Sequence, residues 1–530
     1  MRKMLGKLFR HNQQFEDYTL RYVPQSFRKW SPSVVAITAL GGIAYLADFS
    51  IGASIGTLYG TQNAIYSILL AAIIIFITGL PLAYYAARYN IDLDLITRGC
   101  GFGFYGSVLT SIIFASFTFI FFALEGSIMA QGLLVGLNIP LAIGYLLTTL
   151  IVFPLVMYGM NALSKLQVWT TPLWLILMVT PVVILTYQNP EFIEKFLNYS
   201  GSSTSNNLNL AAIVTGAGIA LALMGQIGEQ IDYLRLMPTL TRENRKAWWV
   251  AVIAAGPGWV ILGAIKQIIG IFLAVFILDK VATGLAIEPV HQFIGAFSLF
   301  LPAWLAMALA VILVVISQIK INVTNAYSGS LAWTNAYTRI TKHYPGRLVF
   351  VIFNLAIALA LMEADMFNIL GFILGFYSNC AIAWITIVAT DIVINKYLLK
   401  ISPKKPEFKK NKLYPINPVG FISFIIASGV SIMAFFDILS KEVSPYSPLI
   451  ALILGIVLPP FLAVITRGKY YFTTKEDIEQ SSFVNNDPKF ELLICQLCRN
   501  EFEYPDVSQL VSNNGDKMQV CSLCEITHRY

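Results

Sequence analysis

Twelve windows of roughly 20 apolar residues, separated by polar turns, leave this chain one kind of solvent for most of its length. They lie near residues 34–57, 62–88, 106–134, 138–159, 165–187 and 209–231, then 247–278, 298–327, 348–364, 368–395, 418–437 and 447–466. Each is long enough to cross the hydrocarbon of a bilayer, where backbone groups must be satisfied within the segment, so each reads as a helix. Composition agrees: 57% of the 530 residues are hydrophobic and 12% are charged, outside the usage of soluble domains. The fold expected is an all-α polytopic membrane protein with twelve transmembrane helices over residues 32–466. A basic N-terminal segment (1–31) precedes it, and a linker (467–490) leads to a small module (491–530). The N-terminal segment lacks a short apolar core with a cleavage site, so the first span is itself expected to direct insertion.

An even number of spans puts both ends on one side. Arg2, Lys3, Lys7 and Arg10 fall there, as do Arg242, Arg245 and Lys246, the loop from Arg339 to Arg347, and the loop from Lys396 to Lys412. By the positive-inside rule that side is cytoplasmic, in a cell membrane. The net charge of +7 therefore reports topology, and nucleic acid is discounted as a partner.

Polar residues inside the spans carry the functional signal. The eighth window is almost wholly apolar from Leu301 to Ile316 and then reads Ser317-Gln-Ile-Lys-Ile-Asn-Val-Thr-Asn-Ala-Tyr-Ser-Gly-Ser330. At helical spacing Ser317, Lys320, Thr324 and Ser328 form one stripe, with Gln318, Asn322 and Asn325 beside it. An ammonium near hydrocarbon is costly and points to function, unless Lys320 snorkels to the headgroups. Glu125 lies in the middle of the third span, with Phe121 one turn before it on the same face. A carboxylate and an aromatic plate together suit a flat, nitrogen-rich ligand, by hydrogen bonding and stacking.

The first span carries Gly41, Gly42 and Gly52 around Asp48, and the sixth ends Leu223-Met-Gly-Gln-Ile-Gly-Glu-Gln-Ile-Asp232. Matching interruptions in the first and sixth spans are the pattern of inverted-repeat transporters, with the substrate at the break. Gln226 is expected to face a ligand; Glu229, Gln230 and Asp232 belong either with it or at the cytoplasmic surface.

In the C-terminal module, Cys495-Gln-Leu-Cys498 and Cys521-Ser-Leu-Cys524 are two knuckles with 22 residues between them. Four thiolates so paired make a tetrahedral site that can hold together a domain too small for its own core. Zinc is the expected structural metal in a zinc-ribbon-like fold, with disulfides or a rubredoxin-like iron site as alternatives. His528 is a spare ligand or solvated, and Cys100 and Cys380 are expected to pack.

The segment Thr97-Arg-Gly-Cys-Gly-Phe-Gly-Phe-Tyr-Gly-Ser107 resembles the Arg-x-x-x-Phe-Gly-x-x-Gly-Ser motif of the nucleobase cation symporter family one, which includes hydantoin, allantoin and purine-cytosine permeases. The resemblance spans roughly residues 30–465, including Asp391 at the end of the tenth span. It implies a leucine-transporter-type 5+5 inverted repeat with two extra helices, and alternating access around a site between the first, third, sixth and eighth. Phe121 then falls at the family's substrate-stacking tryptophan, Glu125 at a substrate-binding amide and Asn325 at a substrate-binding asparagine, with Asn322 beside it. The chain departs from the family in the sixth span, where about Leu223 replaces a second tryptophan. It departs again at Lys320, which stands where sodium-coupled members have a hydroxyl and where first-span carbonyls near Gly42 to Tyr45 would share the ion.

The function expected is a sodium-independent, proton-coupled secondary transporter of a small planar nitrogenous compound such as a nucleobase. Lys320, with Ser317 and Thr324, fills the vacated cation site, and Asp48 is the counter-charge. The alternative is a transporter-like receptor that signals through its zinc module to a cytoplasmic protein. An enzyme is not expected, because no nucleophile and base constellation is visible.

Overall fold

The apolar windows fold as helices, and polar residues set where they end. The computed structural model describes residues 18–157, 159–203, 207–473, 492–511 and 517–527. Arg2, Lys3, Lys7 and Arg10, the linker from residue 474 to 490, and His528 lie outside these residues. The first span is two helices, α1 (Pro32–Gly41) and α2 (Ala47–Tyr59), bent by 50°. Ser31 caps α1 by accepting from the Val34 N–H at 3.3 Å, with Pro32 at the first helical position, where its missing N–H costs nothing. The next four windows give α3 (Thr61–Tyr89), α4 (Val108–Leu137), α5 (Leu141–Met157) and α6 (Gly159–Gln188). In the sixth, α7 (Leu210–Leu221) passes through a 3₁₀ turn into α8 (Gln226–Leu234), and the seventh divides into α9 (Arg245–Ala255) and α10 (Trp259–Ile277). Then come α11 (Ala303–Thr341), α12 (Arg347–Glu363), α13 (Leu370–Thr390), α14 (Pro418–Phe435) and α15 (Ser447–Ile465).

Among the described residues, nine helices are long and apolar enough to cross a membrane, or ten with the bent first pair counted as one. The other two windows of the expected twelve hold α5 and α12, each of 17 residues. At 1.5 Å per residue these reach about 26 Å, short of a hydrocarbon core of about 30 Å.

The most extensive helix pairing is α4 against α11. Small residues let them close up: Gly132 lies against Val314, Gly136 against Val311, and Gly329 against Thr118. This antiparallel register brings Glu125 level with Asn322, and Phe121 level with Asn325.

Past its pairing with α4, the 39-residue α11 continues into a polar knot at one end of the bundle. There Arg339 donates to the Phe104 carbonyl at 2.7 Å and to the Ser107 and Ser111 hydroxyls at 2.6 Å each. Arg98 donates to Asn335 Oδ1 at 3.0 Å, and Gly101 and Gly103 supply the positive φ angles (89° and 79°) that this turn needs.

The C-terminal module docks on that end. It consists of two antiparallel hairpins, β1 (Leu492–Ile494) with β2 (Glu501–Glu503) and β3 (Val507–Val511) with β4 (Lys517–Cys521), followed by α16 (Ser522–Thr527). Residues 18–23 are sandwiched between module and bundle: the Thr19 hydroxyl donates to the Leu331 carbonyl at 3.1 Å, and the Gln25 N–H to Glu503 at 2.6 Å. The Asn411 N–H donates to Glu525 at 2.5 Å and the Lys409 ammonium to the Val507 carbonyl at 2.9 Å. Leu20, Phe104, Leu413 and Ile526 bury one apolar patch between the parts. Asp506 lies 3.7 Å from Arg21, yet burial pushes its carboxyl up to about 6 against that guanidinium. The pair therefore sets position more than it stabilises, and the apolar patch carries the docking. Ile526→Ala is expected to weaken docking by roughly 2 kcal/mol. Faster amide hydrogen exchange at Leu20 and Val23 would show it; unchanged protection there would mean the module does not hold this segment.

Candidate functional site

The break in the first span is the centre of the site. Tyr45 has ψ 151°, outside the helical range, so the last carbonyls before it lose their intrahelical donors. One side chain of α10 takes them. The Lys266 ammonium donates to the carbonyls of Ile43 at 2.6 Å and Tyr45 at 2.9 Å, and lies 2.9 Å from Asp48 Oδ2 on the far side of the break. It also sits 3.8 Å from the centre of the Tyr45 ring. Three protons thus meet two carbonyls and a carboxylate, while Gln267 donates to the other Asp48 oxygen at 2.8 Å. Lys266 and Asp48 are both buried.

Lys320 faces elsewhere. Its ammonium donates to the Gln167 carbonyl at 2.9 Å and to the hydroxyls of Thr170 at 2.9 Å and Thr171 at 2.8 Å, all on α6. The Gln167 amide returns a bond to the Lys320 carbonyl at 2.9 Å. Asp48, expected as the counter-charge of Lys320, pairs with Lys266 instead. The reason is packing: α2 runs along α10, whereas Lys320 leaves α11 on the side of α6.

Around the break the structure collects buried polar groups whose hydrogen bonds are incomplete. Both Glu125 oxygens lie near the Gln318 amide and the Ala47 N–H without a well-formed hydrogen bond to either. Gln226 donates to Glu229 Oε2 at 2.6 Å, leaving Glu229 Oε1 unpartnered. Asn325 donates to Asn322 Oδ1 at 3.2 Å, which leaves Asn325 Oδ1 and Asn322 Nδ2 open. The Tyr45 hydroxyl is within electrostatic reach of Asp48, Glu125 and Glu229. Phe121 packs on Phe117 with ring centres 4.4 Å apart, forming an aromatic wall one turn from Glu125. Buried donors and acceptors without partners are rare in finished cores, so such a cluster is a place for a ligand.

Other expected residues have structural partners. The Thr324 hydroxyl is 3.0 Å from that of Tyr233, and Ser317 donates to the Leu313 carbonyl of its own helix at 2.6 Å. Glu229, Gln230 and Asp232 are buried rather than at a surface, with Ser328 donating to Asp232 at 2.6 Å. The sixth span is not sharply broken: its 3₁₀ turn keeps the chain's hydrogen bonds within the segment. Gly225 and Gly228 serve contact there, since a Cβ would come within 2.5 Å of the Phe117 ring and 2.3 Å of the Phe114 ring.

Sequence reasoning did not single out Lys266. The signal was present, because a lysine in the apolar run from Trp259 to Ile277 is as anomalous as Lys320.

With this geometry in view, the chain aligns with solved structures of transporters. It has the fold of Mhp1. That nucleobase-cation-symport-1 family transporter, in a closed conformation with bromovinylhydantoin bound, superposes with a TM-score of 0.64 at 17% identity, over 89% of this chain and 99% of that one. Inward-facing Mhp1 gives 0.59 at 18% identity, over 87% and 96% of the two chains. A substrate-bound, outward-open sodium-coupled sialic acid symporter gives 0.56 at 14%, over 87% and 94%. No family model and no curated protein sequence matches. At these identities the similarity to Mhp1 is one of fold, and the chemistry rests on this chain's own residues.

In the module, the sulfurs of Cys495, Cys498, Cys521 and Cys524 all lie within 4.8 Å of one another, with Cys498 and Cys521 4.0 Å apart. Tetrahedral bonds of about 2.3 Å to one ion require sulfurs about 3.8 Å apart, so the four thiols fit a metal. The Cys521 N–H donates to Cys495 Sγ at 3.3 Å, as a bound thiolate needs.

Lys266→Met should leave Asp48 buried without its counter-charge and cost roughly 3–5 kcal/mol. Thermal unfolding of the purified protein measures this, and Lys266→Met combined with Asp48→Asn is expected to recover most of the loss. An undisturbed Lys266→Met protein would remove Lys266 from the break.

Proposed function

We propose that this chain is a secondary transporter that moves a small planar nitrogenous solute, of the purine or pyrimidine kind, without sodium. One observation carries the reading: an ammonium already occupies the carbonyls at the break. A fixed cation excludes a mobile one from the same oxygens. The fold shared with symporters, and the polar groups left open around that break, support transport. The hydantoin named for Mhp1 is likewise a small nitrogenous ring.

In this reading Phe121 stacks on the ring, while Glu125, Gln226, Asn322 and Asn325 bond its edge. Glu125 and Glu229 are the groups that can take up and release a proton as the site opens to either side. Lys320, held by Gln167, Thr170 and Thr171 rather than by Ser317 and Thr324, is a second fixed charge between α6 and α11 in place of a coupling ion. The protein lies in a cell membrane with both termini cytoplasmic, and the four cysteines hold a structural zinc that keeps the module folded.

Uptake of labelled uracil, cytosine, adenine and hypoxanthine into proteoliposomes tests this. Uptake is expected to be equal in sodium and choline buffers, to rise with an imposed proton gradient, and to fall at least about tenfold in Glu125→Gln, the size of one lost charge-assisted hydrogen bond. Uptake that requires sodium overturns the reading. Metal analysis is expected to find one zinc per chain, absent from Cys498→Ser; a zinc-free wild-type protein would leave the module without its metal.

A further inference from the structure

The substrate site has an imbalance of charge that the transport reading, on which this inference rests, does not use. Asp48, Glu125 and Glu229 all act electrostatically on the Tyr45 hydroxyl, and one ammonium, that of Lys266, lies against Asp48. Asp48 is matched by Lys266 and Gln267. Glu125 has only neutral hydrogen-bonding groups beside it, the Gln318 amide and the Ala47 N–H, without a well-formed hydrogen bond at either oxygen, and Glu229 is bonded at one oxygen, by a neutral amide. The other cations of the region are turned away: Lys320 bonds α6, and Arg235 lies 3.7 Å from both Asp92 and Asp232. We infer that the solute taken by this site is a small organic cation with its charge spread over several N–H groups: an amidinium, a guanidinium or a protonated aminated heterocycle.

Three features of the site select that class. Carboxylate oxygens accept and never donate when ionised, so the open oxygens of Glu125 and Glu229 call for donors on the ligand. In their ionised form buried carboxylates also call for a counter-charge, which a neutral ring does not bring. The aromatic wall of Phe117 and Phe121 beside Glu125 offers a face on which a flat cation gains over a neutral ring of the same shape. A bare metal ion does not suit the cluster. Among the described residues the four cysteines of the module are the one group of three or more metal-ligating side chains close enough to share an ion, so Asp48, Glu125 and Glu229 do not converge as a set on one. Donors spread across a planar group can reach carboxylates that a single ion cannot.

A matched pair of probes tests the charge apart from the shape. Benzamidine and benzamide have nearly the same outline, one a cation rich in N–H groups and one neutral. Each is offered to the purified full chain, followed by thermal shift and by competition against uptake in proteoliposomes, with uracil and hypoxanthine as neutral references. Benzamidine is expected to bind about tenfold more tightly than benzamide, and Glu125→Gln is expected to remove most of that difference. Glu229→Gln, with a smaller expected loss, serves if the first variant does not fold, and the comparison of the two probes on the native chain needs no variant. If uracil or hypoxanthine binds and is transported while benzamidine neither binds nor competes, the charge inference fails and the transport reading stands. If neither set binds or moves, both fail.

Discussion

The ammonium of Lys266 holds the bundle at its weakest point. A helix that stops in the middle of a membrane exposes carbonyls that hydrocarbon cannot satisfy, and the first span stops at Tyr45. Lys266 ties the two carbonyls on one side of that break to Asp48 on the other. The first span bends by 50° at this contact, and α2 packs along α10 beside it. The same contact occupies those carbonyls with a side chain that cannot leave.

Lys320 shows how the same cost is met in another way. It has no acid beside it; two hydroxyls and a carbonyl of α6 share its charge. Both lysines are fixed charges at helix junctions, but only Lys266 sits where a ligand would. The open groups of Glu125, Glu229, Asn322 and Asn325 belong to polar side chains of three helices, α4, α8 and α11, that do not complete each other's hydrogen bonds. A core built only for stability rarely leaves so many buried polar groups incomplete.

At the other end of the protein the same logic serves assembly. The knot around Arg98 and Arg339 is satisfied by carbonyls and hydroxyls, and residues 18–23 and the four-cysteine module cover it. A module of two short hairpins has too little core to fold by burial alone. Four thiols drawn to one point supply what burial cannot.

The windows of apolar residues were enough to place the long helices, because a bilayer leaves a span no alternative to helix formation; α11 alone runs well past its window, to Thr341, because its polar end is buried in the knot rather than left as a loop. The knuckles likewise announced four convergent thiols, since their spacing is local. The positions of Asp48, Phe121, Glu125 and Asn325 on their spans were legible for the same reason: an acid, a ring or an amide in hydrocarbon is conspicuous. Their partners were not. Whether Asp48 meets Lys320 or Lys266 depends on which helices cross at the break, and two lysines in apolar runs look alike in one dimension. The sequence by itself determined which residues are too costly to bury alone. Only the packing of α2, α6, α10 and α11 decided which of them bury together, because a charge in low dielectric is paired by whatever lies within about 3 Å, however far away in the chain.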